Sequence, residues 1–276
     1  MGILFEIAIS LIFIFCIYHA RKSLLDIYLI FLALIYAVIF ENLNVILSAG
    51  NTGGYYYSTQ FNIFIGHLPL MVALIWAILI YITYSFVNSI NIKDNRKAFA
   101  DAFIITLIDL AIDPVASRMG LWAWIGYGPR DGFFGVPGNN FLGWLLVTFI
   151  FMLMFRFIEK KKLNKLLLLL LPVVSYIIFI IVSFSGAVFE RFFKFSKITE
   201  LLSFFVIYLV FLFMIKKDKN GKINEVTLFY TIRSIFYLFF IYFIIYFKMD
   251  FIILLNFLII LTIELLIYLR FVRRNV

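Results

Sequence analysis

Cysteine is nearly missing from this chain of 276 residues; Cys16 stands alone, inside an apolar run. A disulfide framework is therefore excluded, and the redox compartment cannot be read from thiols. Histidine occurs twice, and no Cys/His spacing of the kind that holds zinc is present. Charge is scarce too. Asp, Glu, Lys and Arg make up 14% of the chain, against about 25% in a soluble domain. The net charge of +9 does not gather into a basic face. It falls in short loops between apolar runs, which argues for membrane orientation and against a nucleic-acid partner. No internal repeat, inverted or direct, shows at helix-pair spacing.

What fills the chain is apolar bulk. Hydrophobic residues account for 65% of it, with 36 Phe and 16 Tyr, and the mean hydropathy is +1.08. Stretches such as DIYLIFLALIYAVIF (26–40) continue beyond what a soluble core helix needs, and about 18 apolar residues in a row read as a transmembrane helix. The fold class expected is all-α, a polytopic transmembrane bundle. Nine spans are expected: 3–19, 24–48, 64–88, 98–117, 141–157, 165–185, 199–215, 229–247 and 251–271. Together they form one integral membrane domain, 1–276, in a cell membrane. The first run lacks a basic leader, so it is expected to remain as a helix.

Seventeen of the 24 lysines and arginines fall on one side of such a bundle. The positive-inside rule makes that side cytoplasmic, with the N-terminus out and the C-terminus in. The two longest connections, 48–62 and 117–140, then lie outside. They are rich in Gly, Tyr and Trp, which favours folding back over the bundle at the membrane interface.

Against this background the acids stand out. Asp109 and Asp113 lie one turn apart on one helical face, in the outer half of the fourth span. Each costs about 2.5–3.5 kcal/mol at a span centre, while a Leu, Ile or Phe returns only about 0.3–0.6 kcal/mol. The helix needs neighbours or a wet cavity to keep the pair, and an intramembrane acid is a functional-site hypothesis by default. Glu41 sits at the same depth in the second span, His67 at the start of the third, and Asn139 and Asn140 at the start of the fifth. A polar pocket roofed by the two aromatic loops is the simplest reading. Each residue also has a plain structural reading. Asp113 before Pro114 could end a helix, Asp109 could be a hydrogen-bond partner to another span, Glu41 could pair with a basic loop residue, and His67 could be an interfacial cap or an orienting partner. Glu6, Glu200 and Glu264 are read as structural or interfacial.

The stretch DLAIDPVASRMGLWAWIGYGPRDGFFGVPGNNFLGW (109–144) resembles the membrane-integral carotenoid hydratase family, of the type that acts in bacterioruberin biosynthesis. The matching positions are Asp109, Asp113-Pro114-Val115-Ala116, Gly120-Leu121-Trp122, Trp124, Gly135, Pro137, Asn139 or Asn140, Phe141, Gly143 and Trp144. Upstream, Glu41, Gly53, Tyr55, Tyr57, Pro69 and Trp76 are also similar, so the likeness covers about 36–158, and 159–276 holds additional spans. The chain departs from the family pattern at GNTG (50–53), where Phe-Pro-Phe-Gly is usual, and at ENLN (41–44).

The resemblance implies addition of water across the terminal double bond of a polyisoprenoid, with no cofactor and no metal. Protonation of a trisubstituted alkene leaves a tertiary cation that water captures. Two carboxyl groups in one site tend to hold one proton between them, so one member can act as acid and the other as base. Asp109, Asp113 and Glu41 are the expected catalytic groups, with acid and base left open within the aspartate pair. His67, Asn139, Asn140 and Arg118 are expected to orient water or substrate. The rings of Trp122, Trp124, Trp144, Tyr55 and Tyr57 are expected to line the site or face the cation. The partners implied are the bilayer, a long apolar isoprenoid and water. The departures at the roof leave geranylgeranyl chains of archaeal ether lipids as an alternative substrate. From other classes, a proton-coupled transporter and an intramembrane prenyltransferase remain. The first should spread polar residues through both leaflets, and the second needs another aspartate-rich segment.

Overall fold

The computed structural model describes residues 2–90, 92–161, 166–193 and 223–272. The expected seventh span, 199–215, and Glu200 lie outside the described residues. Eight helices are described: α1 (Gly2–Ala20), α2 (Leu24–Ser48), α3 (Leu70–Ser89), α4 (Asp94–Arg118), α5 (Gly138–Lys161), α6 (Leu166–Phe193), α7 (Ile223–Tyr246) and α8 (Phe251–Val272). The protein is an all-α polytopic membrane bundle. Six of the described helices are long and apolar enough to cross a membrane: α1, α2, α3, α5, α6 and α7.

Helix α4 is absent from that set because it carries the charges, and its position explains how it keeps them. Every residue from Ala100 to Ala116 is buried. The helix packs against α3, α5, α7 and α8, so protein surrounds it on all sides. Its partner at the centre is α3, 89% buried, whereas α1 at the rim is 28% buried. The lipid therefore meets the apolar outer helices, and the costly carboxylates are kept inside the ring.

Asp101 illustrates the solution. It is fully buried and takes a two-pronged bond from Arg156 of α5, Nε at 2.6 Å and Nη2 at 2.9 Å. Arg156 also donates to Asn88 and lies over the Tyr84 ring, and the Tyr84 hydroxyl donates to Glu159 at 2.7 Å. A second buried pair, Arg233 with Glu264, ties α7 to α8, in keeping with the structural role expected of Glu264.

One structural detail corrects the sequence expectations. The third span does not begin at 64. Phe64–Ile65 (β2) and Leu68–Pro69 (β3) form a small hairpin, and the helix starts only at Leu70. Helix α4 runs through Pro114 to Arg118, as the expected span 98–117 requires. The end comes at Gly120, whose φ of +68° supplies the left-handed turn that glycine adopts without strain. There Leu121 N donates to Ala116 O and Gly120 N to Ser117 O, which satisfies the last carbonyls and launches the next strand.

That strand, β4 (Trp122–Trp124), pairs antiparallel with β1 (Tyr55–Tyr57). Tyr55 stands opposite Trp124 and Tyr57 opposite Trp122. The two aromatic connections thus meet and form a lid over one end of the bundle. Gly54 brings the lid close to α2, because a side chain there would collide with the Ser48 carbonyl. Glu6 of α1 holds the same connection by accepting from Asn62 N at 2.7 Å and from its side-chain amide at 3.1 Å.

Candidate active site

Beneath the lid lies a cavity of about 730 Å³. Its polar end is formed by Glu41 of α2, Asp113 of α4, and Asn139 and Asn140 in the first turn of α5. From there it runs between apolar side chains of α3, α6 and α7, among them Ile75, Ile180 and Phe240. A polar end joined to an apolar passage suits an amphipathic or apolar chain with one reacting terminus.

At that end Asn140 joins the aspartates. Its amide nitrogen is 2.6 Å from Asp113 Oδ2 and 3.2 Å from Asp109 Oδ2. The two carboxyl groups also interact directly with each other. One donor group thus spans both acids, and Asp113, 3% exposed, is the member that lines the cavity. Asp109 lies behind it, and its Oδ1 is buried with no hydrogen-bond partner among the described residues. The helical spacing that puts residues four apart on one face makes this geometry possible.

Glu41 is organised differently. Oε2 accepts from the hydroxyls of Tyr55 and, at 2.8 Å, Tyr57, while Oε1 accepts from Trp76 Nε1 at 2.8 Å. Three donors and no acceptor suit an ionised carboxylate. Burial, followed by the nearby Glu41 charge, pushes both tyrosines well above the usual phenol range, so they stay donors. Trp76 is stacked on Trp144, with ring centroids 4.1 Å apart, and meets Phe40 edge-on. An aromatic box thus flanks the carboxylate, with Trp122 and Trp124 in the cavity wall above.

The structure gathers most of the expected residues and sets two apart. Asp113, Glu41, Asn139, Asn140, Tyr55, Tyr57, Trp122, Trp124 and Trp144 line one cavity, and Asp109 touches it through Asn140 and Asp113. His67 does not line it. It is exposed in the β2–β3 turn, where its backbone N–H donates to Asn42 Oδ1 at 2.6 Å. Arg118 also points elsewhere, to Asp250 at 3.2 Å and to the Pro129 carbonyl. Among the described residues no group of three or more His, Cys, Asp or Glu is placed to hold a metal. The site residue without an expected role is Trp76. A tryptophan within a span needs a partner for its N–H, and that was the available signal.

A family model described as carotenoid biosynthesis protein matches residues 1–210. The chain belongs to the carotenoid biosynthesis protein family. Neither curated proteins nor solved structures give a match. The family segment holds α1 to α6 and thus every polar residue of the cavity, while α7 and α8 lie beyond it. Membership of the family supports a role in carotenoid biosynthesis, carried out by a membrane-embedded protein.

Proposed function

We propose that the cavity hydrates the terminal trisubstituted double bond of a polyisoprenoid chain. The observation that supports this reading best is the aspartate pair bridged by Asn140 in a cavity whose remaining walls are mostly apolar. Asp113 faces the substrate and gives its proton to the less substituted alkene carbon. Asp109 shares that proton in the resting site. The tertiary cation forms beside an aromatic wall, whose ring faces favour positive charge, and near the Glu41 carboxylate. Water adds to the cation and its surplus proton returns to the carboxylates, so the net change is one water gained. Glu41, held by three donors, acts as a fixed negative charge rather than a mobile acid. Acyclic carotenoids are the substrate class that the family favours, and geranylgeranyl chains of ether lipids fit the same chemistry.

The test is mass spectrometry of lipid extracts from two hosts expressing the chain. One host makes acyclic carotenoids and the other unsaturated geranylgeranyl ether lipids, each paired with an Asp113→Asn control. Gain of one water in either pool, absent from the control, is the expected result and names the substrate. No gain in either, with folded protein in the membrane, overturns the reading and turns attention to transport.

A further inference from the structure

Pro114 creates a difficulty in the middle of the acid-bearing helix. Proline has no N–H, so the carbonyl four residues earlier loses its helical partner. That residue is Leu110, buried at 4% exposure, and an unpaired buried carbonyl is costly. The missing donor comes from another helix. Asn256 of α8 places its side-chain amide 3.0 Å from Leu110 O. Leu110 follows Asp109 and Pro114 follows Asp113, so the proline gap falls within the helical turn that carries the acid pair. The Arg118–Asp250 ion pair ties the end of α4 to the residue just before α8.

We propose that Asn256 is a positioning residue for the aspartate pair, and that α8 serves as a brace for the proline gap of α4. The brace lies outside the segment that the family model matches. Resting on the hydratase reading for its kinetic consequence alone, the proposal sets the geometry of Asp109 and Asp113 through the Leu110 carbonyl. Asn256 touches neither carboxyl group nor cavity. Its effect must therefore depend on the proline.

A four-protein cycle tests this: the natural chain, Asn256→Leu, Pro114→Ala, and the double variant. Infrared spectra read the carboxyl and carboxylate stretches that disappear in Asp113→Asn and Asp109→Asn proteins, whatever their protonation. Labelling of Cys16, fully buried, reads folding. Asn256→Leu keeps the size but loses the donor, and is expected to move the aspartate bands. Where hydration is measurable it should lower kcat by about tenfold to a hundredfold with KM little changed. Asn256→Gln, which keeps a donor, restores part of both. In the Pro114→Ala background residue 114 supplies its own N–H, so Asn256→Leu should become nearly silent. Aspartate bands that stay put in folded Asn256→Leu protein overturn the proposal, as does an undiminished effect in the Pro114→Ala background. Should Asn256→Leu fail to fold alone, the double variant must fold, and its failure also overturns the proposal. The spectra need no substrate, so a failed hydratase reading leaves this test standing.

Discussion

At the scale of single residues, Glu41 shows how a carboxylate is kept within a membrane bundle. Its oxygens differ in their supply of donors. Among the described residues Oε2 has two tyrosines, whereas Oε1 has Trp76 alone. Removing one of two donors leaves the oxygen paired, while removing a sole donor leaves a buried acceptor unpaired, which costs about 1–3 kcal/mol and more when the acceptor is charged. Trp76→Phe should therefore destabilise the protein more than Tyr57→Phe, even though a phenyl ring can still stack on Trp144. Thermal unfolding in detergent, followed by labelling of the buried Cys16, measures the order. A larger loss for Tyr57→Phe would show that the lid contact, rather than the donor count, holds Glu41.

At the scale of elements, α4 depends on its neighbours at both ends of its buried length. Asp101 and Arg156 form a buried ion pair away from the cavity, and breaking such a pair from one side costs about 3–5 kcal/mol. Arg156→Met should destabilise by roughly 3 kcal/mol or more, whereas Asp101→Leu together with Arg156→Met should recover most of that loss. A double-mutant cycle in detergent checks the sign, and additive losses would exclude the pairing account. The same helix shows what sequence can and cannot convey. Its span was legible from hydropathy, and the one-face placement of Asp109 and Asp113 from helical spacing. Its continuation through Pro114 is implied by the expected span 98–117, but the donor that makes it tolerable was not legible, because it stands on Asn256, far along the chain. The folding of the aromatic connections back over the bundle was legible from their composition. Their pairing as three-residue strands was not, since strands so short carry no alternation to read. His67 was misplaced for a related reason. Apolar residues around it hid a turn at Gly66, and the backbone rather than the ring makes its contact. Arg118, expected to orient water or substrate, is turned away from the cavity, because the turn at Gly120 directs the chain toward the lid and leaves Arg118 to Asp250.

At the scale of the molecule, the polar and apolar halves of the cavity come from different parts of the chain. The carboxylates and their donors belong to α2, α3, α4, α5 and the lid, within the family segment, whereas Phe236 and Phe240 of α7 close the apolar passage from beyond it. On the proposed hydratase reading, a site divided in this way would let reaction and chain preference vary separately. Phe240 is 3% exposed and makes no hydrogen bond to the polar end, so a smaller apolar residue there should leave protonation intact and change only the space left for the chain. Phe240→Leu is expected to raise kcat/KM for longer or more branched isoprenoids relative to short ones by about tenfold, the order that a few methylene contacts in an apolar pocket supply. Competition between two chain lengths in one membrane preparation measures that ratio directly, and Cys16 labelling confirms that the variant is folded. An equal fall in hydration of every chain would mean that Phe240 supports the fold of the passage without gauging what enters it. An unchanged ratio at full activity would put the reacting chain along α6 instead, past Ile180 and Val182.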